Sequence, residues 1–355
     1  MSAHMRSERE PLVDEDALAS YLESLPDLHA SLPVREIKRI GRGQSNMTFL
    51  VVLVDREIIL RCPPPGPLPP KAHDVLREYR VMSALSNSTV PVPRMLSDCE
   101  DSTVLGVPFF LMEALPGDAL RFSLPASLAI APDAAGMIAS QVVDALARLH
   151  TTNPADVGLG NLSRPTGYIT RQIALWQRQL DYARVRPVPE LDWISSWLER
   201  HLPPETERPS IVHGDYKLDN IIFARGYPPR LLAVVDWEMA ALGDPLADLG
   251  WLLAFWCEDG TPPPELSILP RLTEQPAFPR RAELVQRYID QTGCGVPNLH
   301  FYVVFGLWKM AVLLEAHWAR HVRDTAGPFD YAYLEQGGTI FAAYIRRVVE
   351  ERIAS

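Results

Sequence analysis

Cysteine is scarce in this sequence, and clusters of basic residues are missing. The four cysteines, Cys62, Cys99, Cys257 and Cys294, are widely separated, with neither a C-x-x-C pair nor the ligand spacing of a zinc site. The chain of 355 residues has a formal net charge of −10 and no run of Lys or Arg, so it lacks the electrostatic footprint of a nucleic-acid-binding protein. We therefore expect reduced thiols and no nucleic-acid partner.

Long hydrophobic runs are missing as well. The longest apolar stretch, FYVVFGLWKMAVLLEA (301–316), includes Lys309 and is shorter than the roughly 20 residues that a membrane-spanning helix needs. The first residues, MSAHMRSEREPLVDEDALASYL, are charged and lack the apolar core of a signal peptide. These features predict a cytoplasmic protein without a membrane partner.

The remaining composition is that of a globular chain with room for two packed units. Hydrophobic residues make up 47% of the chain and charged residues 22%, as in a globular protein. A single hydrophobic core usually stops growing at about 250–300 residues, and this chain is longer than that. The β-branched runs within 34–62 predict three antiparallel strands, and the apolar spacing in 71–86 predicts one helix. After Pro116-Gly117 the periodicity becomes helical, over 134–150, 167–185, 190–201, 245–256, 281–292, 299–323 and 329–352.

The segment 211–236 interrupts these helices with strand-like runs and carries most of the chemistry. IVHGDYKLDN (211–220) is followed by IIF, a turn through 225–230, and LLAVVD, which together read as a hairpin. If Ala224 faces Leu231 across the turn, Asn220 faces Val235 and Asp236 lies beside Asn220. Such oxygen ligands suit Mg²⁺, which usually takes one or two carboxylates plus phosphates of a substrate.

A phosphoryl-transfer site needs a group that orients the attacking hydroxyl and a cation near the transferred phosphate. Asp215 is the candidate for the first role and Lys217 for the second, while His213 is expected to be a hydrogen-bonded scaffold residue. The alternative is that Asp215, Asp219 and Asp236 only cap turns, as Asp often does. Asp219 is expected to be exposed and to act in that way.

HGDYKLDN followed by VVDWE resembles the aminoglycoside phosphotransferase and choline kinase family. LRCPPPG, AHDVLREYRVMSAL, VPFFLMEALPG and DWEMAALGDPLADLGWLL resemble the branch that includes the kinase-like domain fused to some acyl-CoA dehydrogenases. The resemblance runs from about residue 34 onward. It implies an α+β, bilobal protein-kinase-like fold, with a small antiparallel-sheet N-lobe (1–112, after a helical N-terminal segment), a hinge (113–117) and a larger, mainly helical C-lobe (118–355).

The same resemblance implies ATP and Mg²⁺ as cofactors and assigns the site residues. Asp215 matches the catalytic aspartate, and Asn220 with Asp236 match the metal ligands. Lys217 is placed like the lysine that touches the transferred phosphate, and Glu78 like the helix glutamate that pairs with the phosphate-binding cation of the third strand.

Further positions follow from the resemblance. MEAL (112–115) matches the hinge, so the Glu113 carbonyl and the Leu115 amide are expected to meet adenine. Asp248 resembles the buried aspartate that braces the catalytic loop through its backbone. Trp237, beside a presumed metal ligand, is expected to line the floor of the active site.

Two positions depart from the family pattern. Arg61 stands in the third strand where the wider family has lysine; arginine stays charged and can fork onto phosphate oxygens. The loop GRGQSNMTF (41–49) offers Gly41, Gly43 and Ser45 to a nucleotide but has Asn46 in place of a third glycine. No G-x-x-x-x-G-K-[ST] motif occurs, which argues against a P-loop enzyme.

The acceptor is predicted to be a small hydroxylated molecule. The C-terminal helices offer Glu315 and Asp324 but also Lys309, Arg320 and Arg323, a mixture that suits an anionic or largely apolar acceptor at least as well as a polycation. The resemblance to the kinase-like domain fused to acyl-CoA dehydrogenases implies a hydroxyacyl thioester, which we expect in preference to an aminoglycoside. Two alternatives stay open: a nucleotide-binding pseudokinase, because of Arg61 and the incomplete glycine loop, and a metal-dependent phosphohydrolase. The sequence leaves open the choice between ATP and GTP and the oligomeric state.

Overall fold

The protein is described by a computed structural model that covers residues 13–40, 46–64, 74–258, 261, 270–323, 325 and 331–353. The chain divides into two compact units. The first consists of Met1–Asn87, Val92–Pro116 and Asp236–Glu238, and the second of Ser88–Pro91, Gly117–Val235 and Met239–Ser355.

The first unit is built on an antiparallel sheet of five strands in the order β1-β2-β3-β5-β4. In β2, every second residue is buried, as expected for a strand with one face on a core. The buried side chains of the sheet and of the first helix form one apolar cluster that includes Leu22, Phe49 and Phe109. The elements are α1 Glu15–Glu23, α2 Pro26–His29, β1 Glu36–Ile40, β2 Met47–Val52, β3 Glu57–Cys62, α3 Val75–Leu85, β4 Met95–Cys99, α4 Ser102–Leu105 and β5 Phe109–Glu113.

Helix α3 begins at Asp74, whose side chain accepts a hydrogen bond from the Arg77 amide and so caps the helix. Its buried face carries Val75, Val81 and Met82 at helical spacing, and Glu78 lies on that same face. A carboxylate among apolar neighbours needs a partner, and its partner is described with the site below.

The second unit is mainly helical and contains two small sheets, β6-β8-β9 and β10-β7. Its elements are β6 Gly117–Ala119, α5 Ala126–Ala129, α6 Ala134–Thr151, α7 Tyr168–Ala183, α8 Pro189–Arg200, β7 Ser210–Val212, β8 Ile221–Ala224, β9 Leu231–Val234, β10 Ala241–Gly243, α9 Leu246–Phe255, α10 Arg281–Thr292, α11 Leu299–Val322 and α12 Leu334–Ile353.

Helices α9 and α11 pack together in the core of the second unit because small residues let their backbones approach. A Cβ atom added to Gly250 of α9 would lie 2.5 Å from the carbonyl oxygen of Tyr302 in α11, and one added to Gly306 would lie 3.2 Å from the oxygen of Gly250. Helix α11 is long and apolar enough to cross a membrane, but 72% of its most apolar window is buried inside the protein. Burial of that kind is typical of a core helix.

Two short segments belong to a different unit from the residues that flank them in the chain. Ser88–Pro91 belongs to the second unit, where the Pro91 carbonyl accepts a hydrogen bond from the Val234 amide at 2.9 Å. Asp236–Glu238 belongs to the first unit, where its backbone and side chains contact α3 and β3. In both cases the unit to which the segment belongs depends on contacts between residues that are distant in sequence, which local sequence patterns do not encode.

Candidate active site

The loop between β7 and β8 carries the predicted catalytic residues and is held through its backbone. Asp248 of α9 is 1% exposed, and its two carboxylate oxygens accept hydrogen bonds from the amides of His213 at 2.6 Å and Gly214 at 2.8 Å. This is the bracing contact that the family resemblance implies. The loop therefore takes its shape from a helix that lies more than thirty residues further along the chain.

The Asp248 carboxylate is itself held by groups from two other helices. His150 of α6 lies 3.4 Å away through Nε2, and its Nδ1 lies 2.8 Å from the Tyr288 hydroxyl of α10. Burial alone would raise the pKa of Asp248, but hydrogen bonds and the charge of His150 outweigh it, so the pKa lies below its usual value. The brace is thus an ionised carboxylate.

Asp248→Asn is expected to lower the free energy of unfolding by about 3 kcal/mol, because charge-assisted hydrogen bonds to two buried amides are weakened and one amide is left facing a donor. Urea denaturation measures the change. Asp192→Asn is the matched control: Asp192 pairs with Arg184 at the surface, so its loss should cost about 1 kcal/mol or less. Equal losses from the two substitutions would contradict the bracing role.

The Asp215 carboxylate is surrounded by donors. Lys217 Nζ lies 2.8 Å from both carboxylate oxygens, Asn220 Nδ2 lies 2.8 Å from Oδ2, and the indole N–H of Trp251 donates to Oδ1 at 2.8 Å. Burial would raise the pKa of Asp215, but Lys217 and more distant positive charges lower it below the ordinary value. The Asp215 carboxylate is therefore ionised, and its hydrogen-bond donors fix its orientation.

His213 is fully buried and serves as a scaffold. Its Nε2 lies 3.0 Å from the Val235 carbonyl, and its Nδ1 accepts the amide hydrogen of Asp215 at 3.2 Å. The following residue, Gly214, has φ +83°, and a Cβ there would lie 2.8 Å from the Met239 side chain. Only glycine fits this turn without strain.

The hairpin brings Asn220 next to Val235, as the sequence predicts, although its turn differs from the prediction. The Val235 amide donates to the Asn220 carbonyl at 2.9 Å. The predicted pairing of Ala224 with Leu231 is wrong, because an irregularity between Ile222 and Phe223 shifts the register so that Phe223 faces Leu231. Asp236 follows Val235 directly in the chain.

In the first unit, Arg61 joins two of the other predicted site residues. Its Nε donates to Glu78 Oε2 at 2.8 Å and its NH2 group to Asp236 Oδ1 at 2.5 Å. Burial raises the pKa of Glu78 to about 7 although Arg61 opposes the shift, and the pKa of Arg61 lies above its ordinary value because these acids outweigh the effect of its burial. Asp236 has φ +70°, an uncommon conformation for a residue with a side chain.

The other residues predicted to contact the nucleotide are Glu113, Leu115 and three residues of the glycine loop. Glu113 ends β5 opposite Ile58, and its side chain accepts the Arg94 amide hydrogen at 2.8 Å; Leu115 follows it outside the strand. Gly41, Gly43 and Ser45 lie outside the residues that the structure describes.

Sequence reasoning misjudged two neighbours of the site. Asp219 is not exposed: its side chain is 19% exposed and pairs with Arg121 at 3.2 Å, and burial raises its pKa. Trp237 is fully buried, so it packs in the interior instead of lining a floor. In both cases tertiary packing covers a residue that a loop sequence would leave open.

Two neighbours of the predicted catalytic loop were not identified from the sequence. Trp251 donates to Asp215, and Lys309 Nζ lies 3.0 Å from the Gly214 carbonyl. The only sequence signal for Trp251 is its spacing of three residues from Asp248, which places both on one face of α9. Lys309 has no comparable signal beyond being a lysine in an apolar helix.

A five-stranded antiparallel sheet with helix α3 between its third and fourth strands, followed by a mainly helical unit that carries the Asp215 loop, is the arrangement of a protein-kinase-like phosphotransferase fold. The family model described as "Phosphotransferase enzyme family" matches residues 36–284. The chain belongs to this family, and the predicted α+β, kinase-like fold is confirmed.

Individual proteins are similar to this chain over most of its length. The chain is 34% identical over 322 residues to mouse acyl-CoA dehydrogenase family member 10, which covers 88% of this chain and 29% of the mouse protein. A crystal structure from Ralstonia eutropha, provisionally described as an aminoglycoside phosphotransferase, has 30% identity and a TM-score of 0.77 over 94% of this chain and 99% of that one. This chain spans about a third of the length of the curated relatives it matches.

The fold extends to more distant structures. A thermostable mutant of an aminoglycoside phosphotransferase, in ternary complex with AMP-PNP and hygromycin B, aligns with a TM-score of 0.57 over 93% of this chain and 98% of that one. At 15% sequence identity, this likeness concerns the fold alone.

Proposed function

We propose that this protein is an ATP- and Mg²⁺-dependent kinase that phosphorylates a hydroxyl group of a small molecule, and that it works in the cytoplasm. The observation that carries the proposal is the arrangement around Asp215: an ionised carboxylate, 19% exposed, with Lys217, Asn220 and Trp251 fixed on its oxygens. Membership of the phosphotransferase family and the ternary complex of a fold neighbour with AMP-PNP support ATP as the phosphoryl donor.

In the proposed reaction, Asp215 accepts a hydrogen bond from the acceptor hydroxyl and aims its oxygen at the terminal phosphate. The carboxylate then takes the proton as the new O–P bond forms, while the bond between the terminal phosphorus and the bridging oxygen of ATP breaks and ADP leaves. Lys217, which pairs with Asp215, is assigned to the transferred phosphate, where a cation stabilises the charge that develops. Arg61 and Glu78 are assigned to nucleotide binding, as are the Glu113 carbonyl, the Leu115 amide and the glycine loop with Gly41, Gly43 and Ser45.

The donor set available for magnesium consists of oxygens. Asn220 offers a side-chain carbonyl, since its Nδ2 is turned toward Asp215, and Asp236 offers a carboxylate. Both are the hard ligands that Mg²⁺ prefers, and phosphate oxygens usually complete its shell. When bound, the ion would neutralise charge on the phosphates of the nucleotide.

We propose that the acceptor is anionic or largely apolar, as a hydroxyacyl-CoA is, and not a polycation. A small cleft beside Lys217 is lined by Arg121, Leu252, Phe255 and Trp256, so its wall is apolar and basic. Among the described residues that line it, the one carboxylate is Asp219, which is paired with Arg121. The similarity to acyl-CoA dehydrogenase family members supports the same acceptor class.

The proposal is tested by measuring ADP release with purified protein, Mg²⁺ and ATP or GTP over four acceptor panels: hydroxyacyl-CoA thioesters, amino alcohols, sugars and aminoglycosides. We expect one hydroxyacyl-CoA panel member to give a phosphorylated product by mass spectrometry, with turnover lost when EDTA replaces Mg²⁺. An aminoglycoside product would overturn the acceptor class. The absence of any product would overturn the kinase assignment.

One observation favours the pseudokinase alternative. Arg61 pairs at 2.5 Å with Asp236, so a predicted metal ligand already has a cationic partner. A regulatory nucleotide-binding protein would show a rise in melting temperature with ATP but no ADP release on any panel. Among the described residues no group of three or more His, Cys, Asp or Glu could hold a metal.

A further inference from the structure

Lys309 of α11 is a buried cation near the catalytic loop. The residue is 5% exposed, and its ammonium group lies over aromatic rings, 4.1 Å from the ring centroid of Trp251 and 5.1 Å from that of Trp176. No carboxylate of the described residues forms a salt bridge with it. Burying an ammonium group without compensating contacts is costly, so the contacts of Lys309 must offset this cost.

The first contact is with the backbone that precedes Asp215. Lys309 Nζ donates to the Gly214 carbonyl at 3.0 Å, while the Gly214 amide donates to Asp248 at 2.8 Å. The peptide groups on both sides of Gly214 are therefore held, one from α9 and one from α11. This fixes the direction in which the chain enters Asp215.

The second contact runs through Trp251. The ammonium group of Lys309 lies over the face of the indole, and the N–H on the edge of the same indole donates to Asp215 Oδ1 at 2.8 Å. A cation over an aromatic face draws electron density from the ring, which strengthens the N–H as a donor. Lys309 thus acts on both the backbone and the side chain of Asp215.

The two helices that supply these residues approach closely at Gly250 and Gly306, next to Trp251 and one turn before Lys309. Residues on rigid, packed elements hold a site more accurately than residues on loops. The distance between the ammonium group and the indole is accordingly set by helix packing, which leaves little freedom to the catalytic carboxylate.

We propose that Lys309 and Trp251 are positioning residues for Asp215: Lys309 holds the Gly214 carbonyl and polarises the Trp251 indole, which in turn fixes one oxygen of the carboxylate. This inference rests on the proposed kinase function. It predicts that the pair affects the chemical step more than nucleotide binding, since the hydrogen bonds of both residues lead to Gly214 and Asp215.

The test compares Lys309→Met and Trp251→Phe, which keep the approximate volume of each side chain, with Trp197→Phe as the control for loss of a buried indole elsewhere in the second unit. We expect kcat to fall about 10–100-fold in the first two, the range found when outer partners of a site residue are removed, with KM for ATP changed less than about twofold. Trp197→Phe should retain kcat. Urea denaturation of each variant reports whether it is folded.

The pH profile gives a readout that packing alone would not move. Burial lowers the pKa of Lys309 to about 8, with the charges of Asp215 and Asp248 opposing the shift and Lys217 adding to it. As pH rises through this value the ammonium group loses its proton and its charge, so the kcat of the wild-type protein should fall. Lys309→Met should lack this alkaline limb, and Lys309→Arg should restore part of kcat without it.

A turnover-independent readout separates this inference from the kinase assignment. In ¹H–¹⁵N NMR spectra, Lys309→Met should shift the indole N–H resonance of Trp251 and leave that of Trp197 in place. If that shift occurs but the wild-type protein turns over no acceptor, the kinase assignment fails and the positioning contact stands. If folded Lys309→Met and Trp251→Phe keep kcat within about threefold of the wild type, the positioning role is overturned.

Discussion

Asp215→Asn is expected to lower kcat about a thousandfold, within the 10²–10⁴ range that general-base groups contribute. The amide has nearly the same shape as the carboxylate, but it cannot take the proton of the acceptor hydroxyl, and its NH₂ group would face the donors Lys217 and Trp251. KM for ATP should change less than about threefold, because Asp215 is assigned to the acceptor. Both parameters are measured from initial rates of ADP release with the acceptor that the screen identifies.

Asp219→Asn provides the matched control, four residues along the same loop. Its carboxylate pairs with Arg121, away from the Asp215 oxygens, so kcat should stay within about threefold of the wild type, as for the loss of a partly exposed ion pair. Any larger effect should fall on KM for the acceptor, because Asp219 lines the cleft beside Lys217. Comparable losses from both substitutions would mean that the loop responds to any change of charge. Full activity of Asp215→Asn would remove the basis of the proposed mechanism.

Asp236→Asn is expected to lower kcat/KM for MgATP by more than about 100-fold. Loss of an outer partner of a metal ligand costs roughly 10–100-fold, and here a directly bound carboxylate oxygen would be lost. The Mg²⁺ concentration needed for half-maximal rate should rise together with the loss of activity. A titration of ADP release with Mg²⁺ measures this effect, and excess Mg²⁺ should recover part of the rate.

Glu238→Gln is the control for Asp236→Asn, since it removes an acidic charge two residues away that contacts Asn46 at 3.2 Å. It should leave the Mg²⁺ requirement unchanged. If Asp236→Asn lowers activity without altering the Mg²⁺ dependence, the loss would instead come from its partner Arg61, and the assignment of Asp236 as a metal ligand would be wrong.

The elements of the fold could be predicted from sequence because each has a local signal. The predicted helices 134–150, 281–292 and 299–323 correspond to Ala134–Thr151, Arg281–Thr292 and Leu299–Val322, since amphipathic or apolar periodicity extends over several turns. The three-residue strand β6 was missed because so short a strand has no period to detect. The hairpin turn was misjudged since its apolar residues do not fix a register.

Within the site, the local pattern HGDYKLDN was sufficient to predict which residues lie on one loop. The pairing of Arg61 with Glu78 was also predicted, through family resemblance, whereas the contact of Arg61 with Asp236 was not. Trp251 and Lys309 could not be found in this way, because they reach Gly214 and Asp215 from helices distant in sequence. Their role depends on how α9 packs against α11, which no short motif specifies.

The left-handed backbone of Asp236 has a consequence for how the family can evolve. Asparagine is among the few residues with a side chain that enter this conformation readily, and a single base change converts an aspartate codon into an asparagine codon. A gene for this protein therefore lies one mutation from a product that folds but has lost a carboxylate of the proposed metal site. Non-catalytic descendants are expected to arise by this substitution more often than by changes that disturb the backbone.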